Sequence, residues 1–446
     1  MRLIGNKTRL LSSIQRFLSQ RGWDGGTLID IFSGTASVGR YFKSLGWRVL
    51  ANDHLSVAFT KAVAGIEVSD WPKFRAFRDA HRNVIASPEF QDSFSVAGAQ
   101  SELSFEPART GRAGTVATAL KDHGRPLREV IHVLDRYVAP REGLISRSFC
   151  PSGSAGRMYF QDEHGRKIDG ILETLREAWR GEILSRGELH LCLASLIDAA
   201  DRVANISGTY GAYLKSWQVN TRGALRLSPP EVLCSSVRSG ARNSVRNEAF
   251  QEDSNRLVRR LNGDVLYIDP PYNHRQYAAN YHVLEILAEH HRVPDLAAYE
   301  ASLYGKTGLR PYAEQRSTYC VSPDARDASD GNALSSLADL VLASRARAVV
   351  VSYSEEGLLS REEIGGILAA FGRAKKFDYA RGLLAVDFPR FRSDSDREGL
   401  DGRSPRRYSG VEGRSRDRVG ELLFYAERPT RKRTAVAGVT TTEALN

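Results

Sequence analysis

One stretch limits the fold more than any other: Asp264-Val-Leu-Tyr-Ile-Asp-Pro-Pro-Tyr-Asn-His-Arg-Gln-Tyr277. Val265 to Ile268 is a short apolar run of the kind that forms a buried strand. Asp269-Pro270-Pro271-Tyr272 ends it, because neither proline can donate to a sheet ladder. The break leaves a carboxylate, a free carbonyl and an aromatic ring at a strand's carboxyl end, the edge of an open α/β sheet where ligands bind. A carboxylate and a carbonyl side by side accept two hydrogen bonds from one amine, and a ring nearby stacks on a flat heterocycle. That suits the exocyclic amine of a nucleobase. The same four residues also describe a Pro-Pro turn with an ordinary surface Asp, so the rest of the chain has to choose.

The chain upstream supplies a second strand-end site. Thr27 to Phe32 reads as a strand running into Asp30-Ile31-Phe32-Ser33-Gly34-Thr35-Ala36-Ser37-Val38-Gly39. A helix follows to Leu45-Gly46, then a strand from Trp47 to Ala51 and the pair Asn52-Asp53. In this β-α-β unit Gly34 lets backbone approach a ligand closely. Asp53 falls about 20 residues past the turn, where a carboxylate accepts from ribose hydroxyls. No lysine followed by Ser or Thr stands in the turn, which excludes a nucleotide-triphosphate loop. Before it, Leu10, Leu11, Ile14, Phe17 and Leu18 have helical spacing. Lys7 at the start of that helix is unhelpful to the dipole, which hints that it faces an anion.

Residues 66–185 carry scattered aromatics and arginines without a repeat and read as an insertion of mixed structure. Residues 188–204 form a strong helix pattern, followed by Asn205 to Trp217 with two tyrosines, a tryptophan and a lysine. That segment suits aromatic packing on a core helix or a surface touching a base or sugar. A basic helical segment is expected between Arg238 and Arg260, and His290-His291 are read as helix-end cations. Ala348 to Tyr353 reads as a strand, followed by a helix opened by Ser360 with Glu363 as a capping box. Leu383 to Val386 and Glu421 to Tyr425 read as strands joined by a long Arg-rich loop at 387–419, either a disordered charged connector or, as the net charge favours, a backbone-binding loop that orders on nucleic acid. Residues 427–446 read as a basic tail.

A net charge of +10 over 446 residues favours a polyanionic partner. Four scattered cysteines give neither zinc-ligand spacing nor a disulfide framework, so no metal is expected and a reduced, cytoplasmic setting is. The N-terminus runs straight into an amphipathic, charged helix, so no signal peptide is expected. No apolar run is long enough to span a bilayer, so no membrane association is expected.

Strands alternating with helices, and two strand-end sites, imply a doubly wound α/β sheet. Taken together, Gly5-Asn6-Lys7, Asp30 to Gly39, Asn52-Asp53, Asp253 and Asp269 to Tyr272, in that order, resemble the Dam-like class of adenine-specific DNA methyltransferases. The resemblance covers residues 1–65 and 185–426. It implies a Rossmann-like methyltransferase sheet made of 1–65 and 186–426, with 66–185 as a candidate target-recognition insertion. It also implies S-adenosylmethionine as cofactor and double-stranded DNA as substrate, with a cognate restriction endonuclease as partner, to which no residue points.

By the same resemblance Asp269 and the Pro270 carbonyl accept from the N6 amine of a flipped adenine, with Pro271 in the tetrapeptide and Tyr272 stacking on the ring. Phe32 and Gly34 line the cofactor within the turn that Asp30 opens. Asp53 holds its ribose, Asp253 accepts from its adenine amine, and Lys7 lies near its methionine end. One departure is Ala36, where the family's turn usually has a second glycine. An alanine fits there if φ is below zero, with a slight displacement of the cofactor as its expected effect. Competing readings are an RNA adenine methyltransferase and a catalytically silent binding subunit of the same fold. A nicotinamide-dependent dehydrogenase shares the β-α-β turn but leaves Asp269 to Tyr272 unexplained.

Overall fold

The computed structural model describes residues 7–102, 124–234, 246–325, 331–389 and 418–429. Seven strands form one sheet: β1 Thr27–Asp30, β2 Arg48–Asn52, β3 Glu248–Phe250, β4 Val265–Ile268, β5 Ala348–Ser354, β6 Leu383–Pro389 and β7 Arg418–Glu427. Their order is β3-β2-β1-β4-β5-β7-β6. The first five strands run parallel, and β7 runs antiparallel to both β5 and β6. Crossovers proceed outward in opposite directions from β1 and β4, so the switch point lies between those two strands. The doubly wound Rossmann-like sheet expected from the sequence is therefore present.

The inner strands are apolar on both sides, as a sheet covered on two faces requires. Leu28, Val49, Val265, Tyr267, Val350 and Leu423 pack with Leu10, Ile14, Phe17 and Leu18 around the helix Leu11–Ser19. Their sequence neighbours Ile29, Leu50, Leu266, Ile268, Val349, Val351, Leu422 and Phe424 face the helices Ala333–Ala343 and Arg361–Phe371. The capping box read at Ser360 forms: Glu363 N donates to Ser360 Oγ at 3.2 Å, and Ser360 N to Glu363 Oε2 at 2.7 Å.

Among the described residues, the stretch read as mixed structure is helical, with helices Arg75–Ala80, Arg82–Ile85, Pro88–Glu102, Arg125–Arg136, Leu144–Phe149 and Asp162–Arg180. Several share one core with the helices Arg186–Val203 and His282–Glu289, through Leu134, Phe149, Leu172, Leu193, Ile197 and Leu284. The aromatic segment after Val203 is tied into this core, with Tyr210 fully buried and Tyr159 Oη donating to its carbonyl at 2.7 Å.

Three expectations are corrected. The basic helical segment before Arg260 holds β3 instead. There Glu248 to Phe250 pair with Leu50 to Asn52 and close the sheet edge, and among the described residues of that segment, 246–260, the helix is Ser254–Leu257. His290 and His291 are not helix-end cations. Both are buried, and burial, followed by nearby arginines, pushes their pKa values down to about 3 and about 4. They fill space as neutral rings, His291 edge-on to Trp179 at 5.7 Å. The strands take up both ends of the Arg-rich loop, since β6 runs to Pro389 and β7 begins at Arg418. The remainder of that loop, the basic tail beyond 429, and Gly5 and Asn6 lie outside the described residues. Among the described residues no helix is long and apolar enough to cross a membrane.

Candidate active site

The carboxyl ends of β1 and β4 face each other across the switch point, and a cavity of about 220 Å³ opens there. The ten residues given a catalytic or cofactor role from the sequence line it: Lys7, Asp30, Phe32, Gly34, Asp53, Asp253, Asp269, Pro270, Pro271 and Tyr272.

The turn after β1 is fixed by its neighbours. Gly34 sits at φ +50, and its N–H donates to Asp53 Oδ2 at 2.9 Å. Asp53 Oδ1 accepts from Leu55 N at 3.0 Å. Asp53 thus hooks the end of β2 onto the turn, and burial pushes its carboxyl above the ordinary range against those donors. Asn52 adds a second clasp, its Nδ2 reaching the carbonyls of Ile31 at 3.2 Å and Glu252 at 3.1 Å. Asp30 is almost wholly buried and accepts from Gly39 N at 3.0 Å, anchoring the helix Ser37–Ser44. Burial, with the charge of Asp269 adding to it, pushes the Asp30 carboxyl up to about 7.

Ala36 overturns the condition set for it, with φ +61 and ψ 18, the left-handed region. Its methyl is fully buried with Val38, Phe42 and Ile66 on the core side of the turn, and Ala36 does not line the cavity. The alanine therefore strains the backbone without crowding the space where a ligand would sit.

The aromatic walls are braced edge to face. Phe32 meets Tyr319 at 5.0 Å, and Tyr272 meets Tyr353 at 6.4 Å. The Tyr272 carbonyl accepts from Leu358 N at 3.1 Å, which fixes the backbone after the two prolines. Asp253 is exposed at the rim and caps the short helix after β3, accepting from Arg256 N at 2.9 Å. Gln276 and Ser317 pair reciprocally, at 3.1 and 2.8 Å, tying the loop after β4 to the wall formed by Glu314 to Tyr319.

The anions that Lys7 faces are the protein's own. Its Nζ lies 3.0 Å from Asp269 Oδ1 and 2.7 Å from Glu421 Oε1. Burial works against the ammonium, yet the two carboxylates outweigh it and hold Lys7 above the usual lysine value. Burial likewise pushes Asp269 up, to about 7, with Lys7 opposing and Glu421 reinforcing the rise. The Asp269 side chain keeps 17% exposure, so the carboxyl still opens on the cavity.

Sequence reading missed Glu421, whose signal was a lone acid in the apolar run Gly420-Glu-Leu-Leu-Phe424. It also missed the Glu314 to Tyr319 wall, where no periodic pattern marks the fold.

The cavity has the donor set for a cationic, heterocyclic ligand. Four aspartates (Asp30, Asp53, Asp253 and Asp269) line it with Lys7, while Phe32 and Tyr272 supply flat apolar surface. An S-adenosylmethionine molecule fits this chemistry, with acceptors for hydroxyls and an amine and a negative field for a sulfonium.

The chain matches a family model described as D12 class N6 adenine-specific DNA methyltransferase over residues 3–69 and 146–341. It is 34% identical to the type II methyltransferase M.FokI of Planomicrobium okeanokoites over 376 residues, covering 83% of this chain and 47% of that protein. It is 29% identical to the type II methyltransferase M.NlaIII of Neisseria lactamica, covering 88% of this chain and 93% of that one. With the modification methylase LlaI of Lactococcus lactis subsp. lactis it shares 30% identity, over 83% of this chain and 49% of that protein. The chain thus spans about half the length of M.FokI and LlaI and nearly all of M.NlaIII. No solved structure matches.

Proposed function

Because the chain belongs to the D12 class of N6 adenine-specific DNA methyltransferases, we propose that it methylates adenine at N6 in a specific DNA sequence, as the modification enzyme of a restriction-modification system. The observation that carries the reading is the meeting of Asp269 and Tyr272 with the Asp53-anchored Gly34 turn in one cavity at the switch point. A cognate endonuclease would be its partner.

S-adenosylmethionine supplies an activated methyl group when bound. The rest falls to the chain's own residues, and the work is mostly positioning and electrostatics. Asp269 and the Pro270 carbonyl accept from the two N6 hydrogens of a flipped adenine, which turns the nitrogen lone pair toward the donor. Pro270 and Pro271 keep the strand from continuing into that space. Tyr272 stacks on the base. Phe32 and Gly34 line the cofactor and Asp53 takes its ribose hydroxyls. Asp253 keeps one carboxylate oxygen beyond its capping bond for the cofactor's adenine amine, and Lys7 stands near the methionine end. Residues 66–185, helical where described, are the region we assign to target recognition.

The test is modification mapping of plasmid DNA from a methylation-deficient host expressing the chain. N6-methyladenine at one recurring sequence is the expected result. Unmodified plasmid, from protein shown to bind S-adenosylmethionine, would overturn the DNA reading and turn attention to RNA.

A further inference from the structure

We infer that Glu421 is a positioning residue: it draws the Lys7 ammonium to itself, limits its contact with Asp269 to one oxygen, and so leaves the other oxygen to the nucleobase amine. The inference rests on the methyltransferase reading of the same site.

The geometry comes from the strand order. β7 runs against its neighbours, so its first residues arrive at the carboxyl edge of β4 and β5. Strand alternation puts Glu421 on the same face as Leu423, the face covered by the helix that follows Lys7. In register, Glu421 lies opposite Ser354, and Ser352, two residues along on that face, donates its Oγ to Glu421 Oε1 at 2.5 Å. The same oxygen takes Lys7 Nζ at 2.7 Å, nearer than the 3.0 Å contact to Asp269 Oδ1. Glu421 is 3% exposed.

A buried carboxylate in an apolar strand is costly unless it is paired. Neutralising Lys7 does not require it, since Asp269 alone would do. With Asp269 ionised the three groups instead sum to one negative charge, complementary to a cation in the cavity. Without the Glu421 charge, the full attraction of the ammonium falls on Asp269. The two would close into an ion pair that competes with the amine for the same acceptor.

The groups facing Asp269 are Lys7, Glu421, Asp30 from β1, Tyr267 from its own strand, and Tyr272 and Tyr277 from the following segment. Of these, Glu421 raises the Asp269 carboxyl and Lys7 lowers it. Removing the Glu421 charge should therefore move Asp269 to lower pH, whether or not a ligand is present.

Glu421→Gln keeps the shape and an acceptor for Ser352. We expect the carbon-13 carboxyl titration of Asp269, followed by NMR in the cofactor-free chain, to shift down by roughly one unit. We expect kcat for methyl transfer to fall at least roughly tenfold, with KM for S-adenosylmethionine unchanged and the acid limb of the kcat profile displaced the same way. Glu421→Asp should recover part of the rate. A wild-type rate in Glu421→Gln, or a slow variant whose Asp269 titration has not moved, would overturn the inference. If Glu421→Gln does not fold, Ser352→Ala takes its place, with a several-fold loss of kcat expected and an unchanged kcat overturning the proposal. A wild-type chain that transfers no methyl group would instead remove the underlying reading, while the titration shift still judges Glu421.

Discussion

Arg310 Nη2 donates to Glu285 Oε2 at 3.0 Å, and both side chains are almost wholly buried. Glu285 also accepts from the backbone N–H groups of Ser56 and Val57 at 2.9 and 2.8 Å, at the start of the helix Ser56–Ala62 that follows Asp53. Arg310 Nη1 also lies 3.4 Å from Glu289 Oε1, so one arginine shared by two buried glutamates fixes the segment leading into the Glu314 to Tyr319 wall and the helix beyond the candidate ribose acceptor. Arg310→Met leaves a buried carboxylate with amide donors but no counter-charge, and should cost roughly 3–5 kcal/mol in urea unfolding. Burial already pushes Glu285 up, and Arg310 opposes that rise. With the arginine gone, the folded-state value climbs further, so the loss should grow as pH rises. A cost that is small and flat with pH would show that water reaches Glu285.

Asp269→Ala should separate chemistry from cofactor binding. Lys7 keeps Glu421 as a partner at 2.7 Å, so the variant has no unpaired buried ammonium and should fold. Methyl transfer should fall by at least roughly 10²–10³, while calorimetric binding of S-adenosylmethionine persists. Loss of that binding in a folded variant would contradict the division of labour between the two strand ends.

Much of this architecture was readable from local pattern. The apolar run Val265 to Ile268 closed by two prolines, the Gly34 turn and the Ser360–Glu363 box each have their cause within a few residues of sequence. What could not be read depends on pairing between distant segments. Three residues of β3 beside β2 leave too short a signature to outweigh the basic context around them. His290 and His291 look like helix-end cations until the helix Asp162–Arg180 packs over them and burial removes their charge. Glu421 lies more than 150 residues from Asp269 in sequence and reaches it only because β7 reverses direction. The sign of φ at Ala36, on which its fit was made to depend, was not legible either, since residue type alone does not reveal it.

Asp30→Asn should change how stability depends on pH. The Asp30 carboxyl stands at about 7 in the fold against an ordinary 3.8. A carboxyl raised on folding contributes its stability below the ordinary value, and that contribution is lost as pH rises through about 7. Asparagine keeps an acceptor for Gly39 N and cannot ionise. Wild-type stability should therefore fall between about pH 4 and 7 by at most about 1.4 kcal/mol per pH unit from this group, and the variant's curve should be flatter there. Parallel curves for the two proteins would show that Asp30 is ionised in the fold at little cost.

Gly34 and Ala36 share the left-handed conformation, yet a Cβ at the two positions meets different surroundings. A Cβ built on Gly34 meets nothing within 4 Å, and Gly34 lines the cavity, so the methyl of Gly34→Ala would project into the proposed cofactor space. That variant should lose about 1 kcal/mol of stability to its positive φ, and bind S-adenosylmethionine more weakly by at least roughly tenfold. For Ala36→Gly three terms oppose one another. Relief of the left-handed strain contributes about 1–2 kcal/mol, loss of a buried methyl costs about 0.8 kcal/mol, and the freer glycine chain costs about 0.5–1 kcal/mol. They nearly cancel, so Ala36→Gly should stay within about 1 kcal/mol of wild type and leave cofactor affinity alone. Unfolding curves and calorimetry on the two variants decide the matter. Tighter cofactor binding by Ala36→Gly would mean that its methyl reaches the ligand after all, and an unaffected affinity in Gly34→Ala would move the cofactor away from this turn.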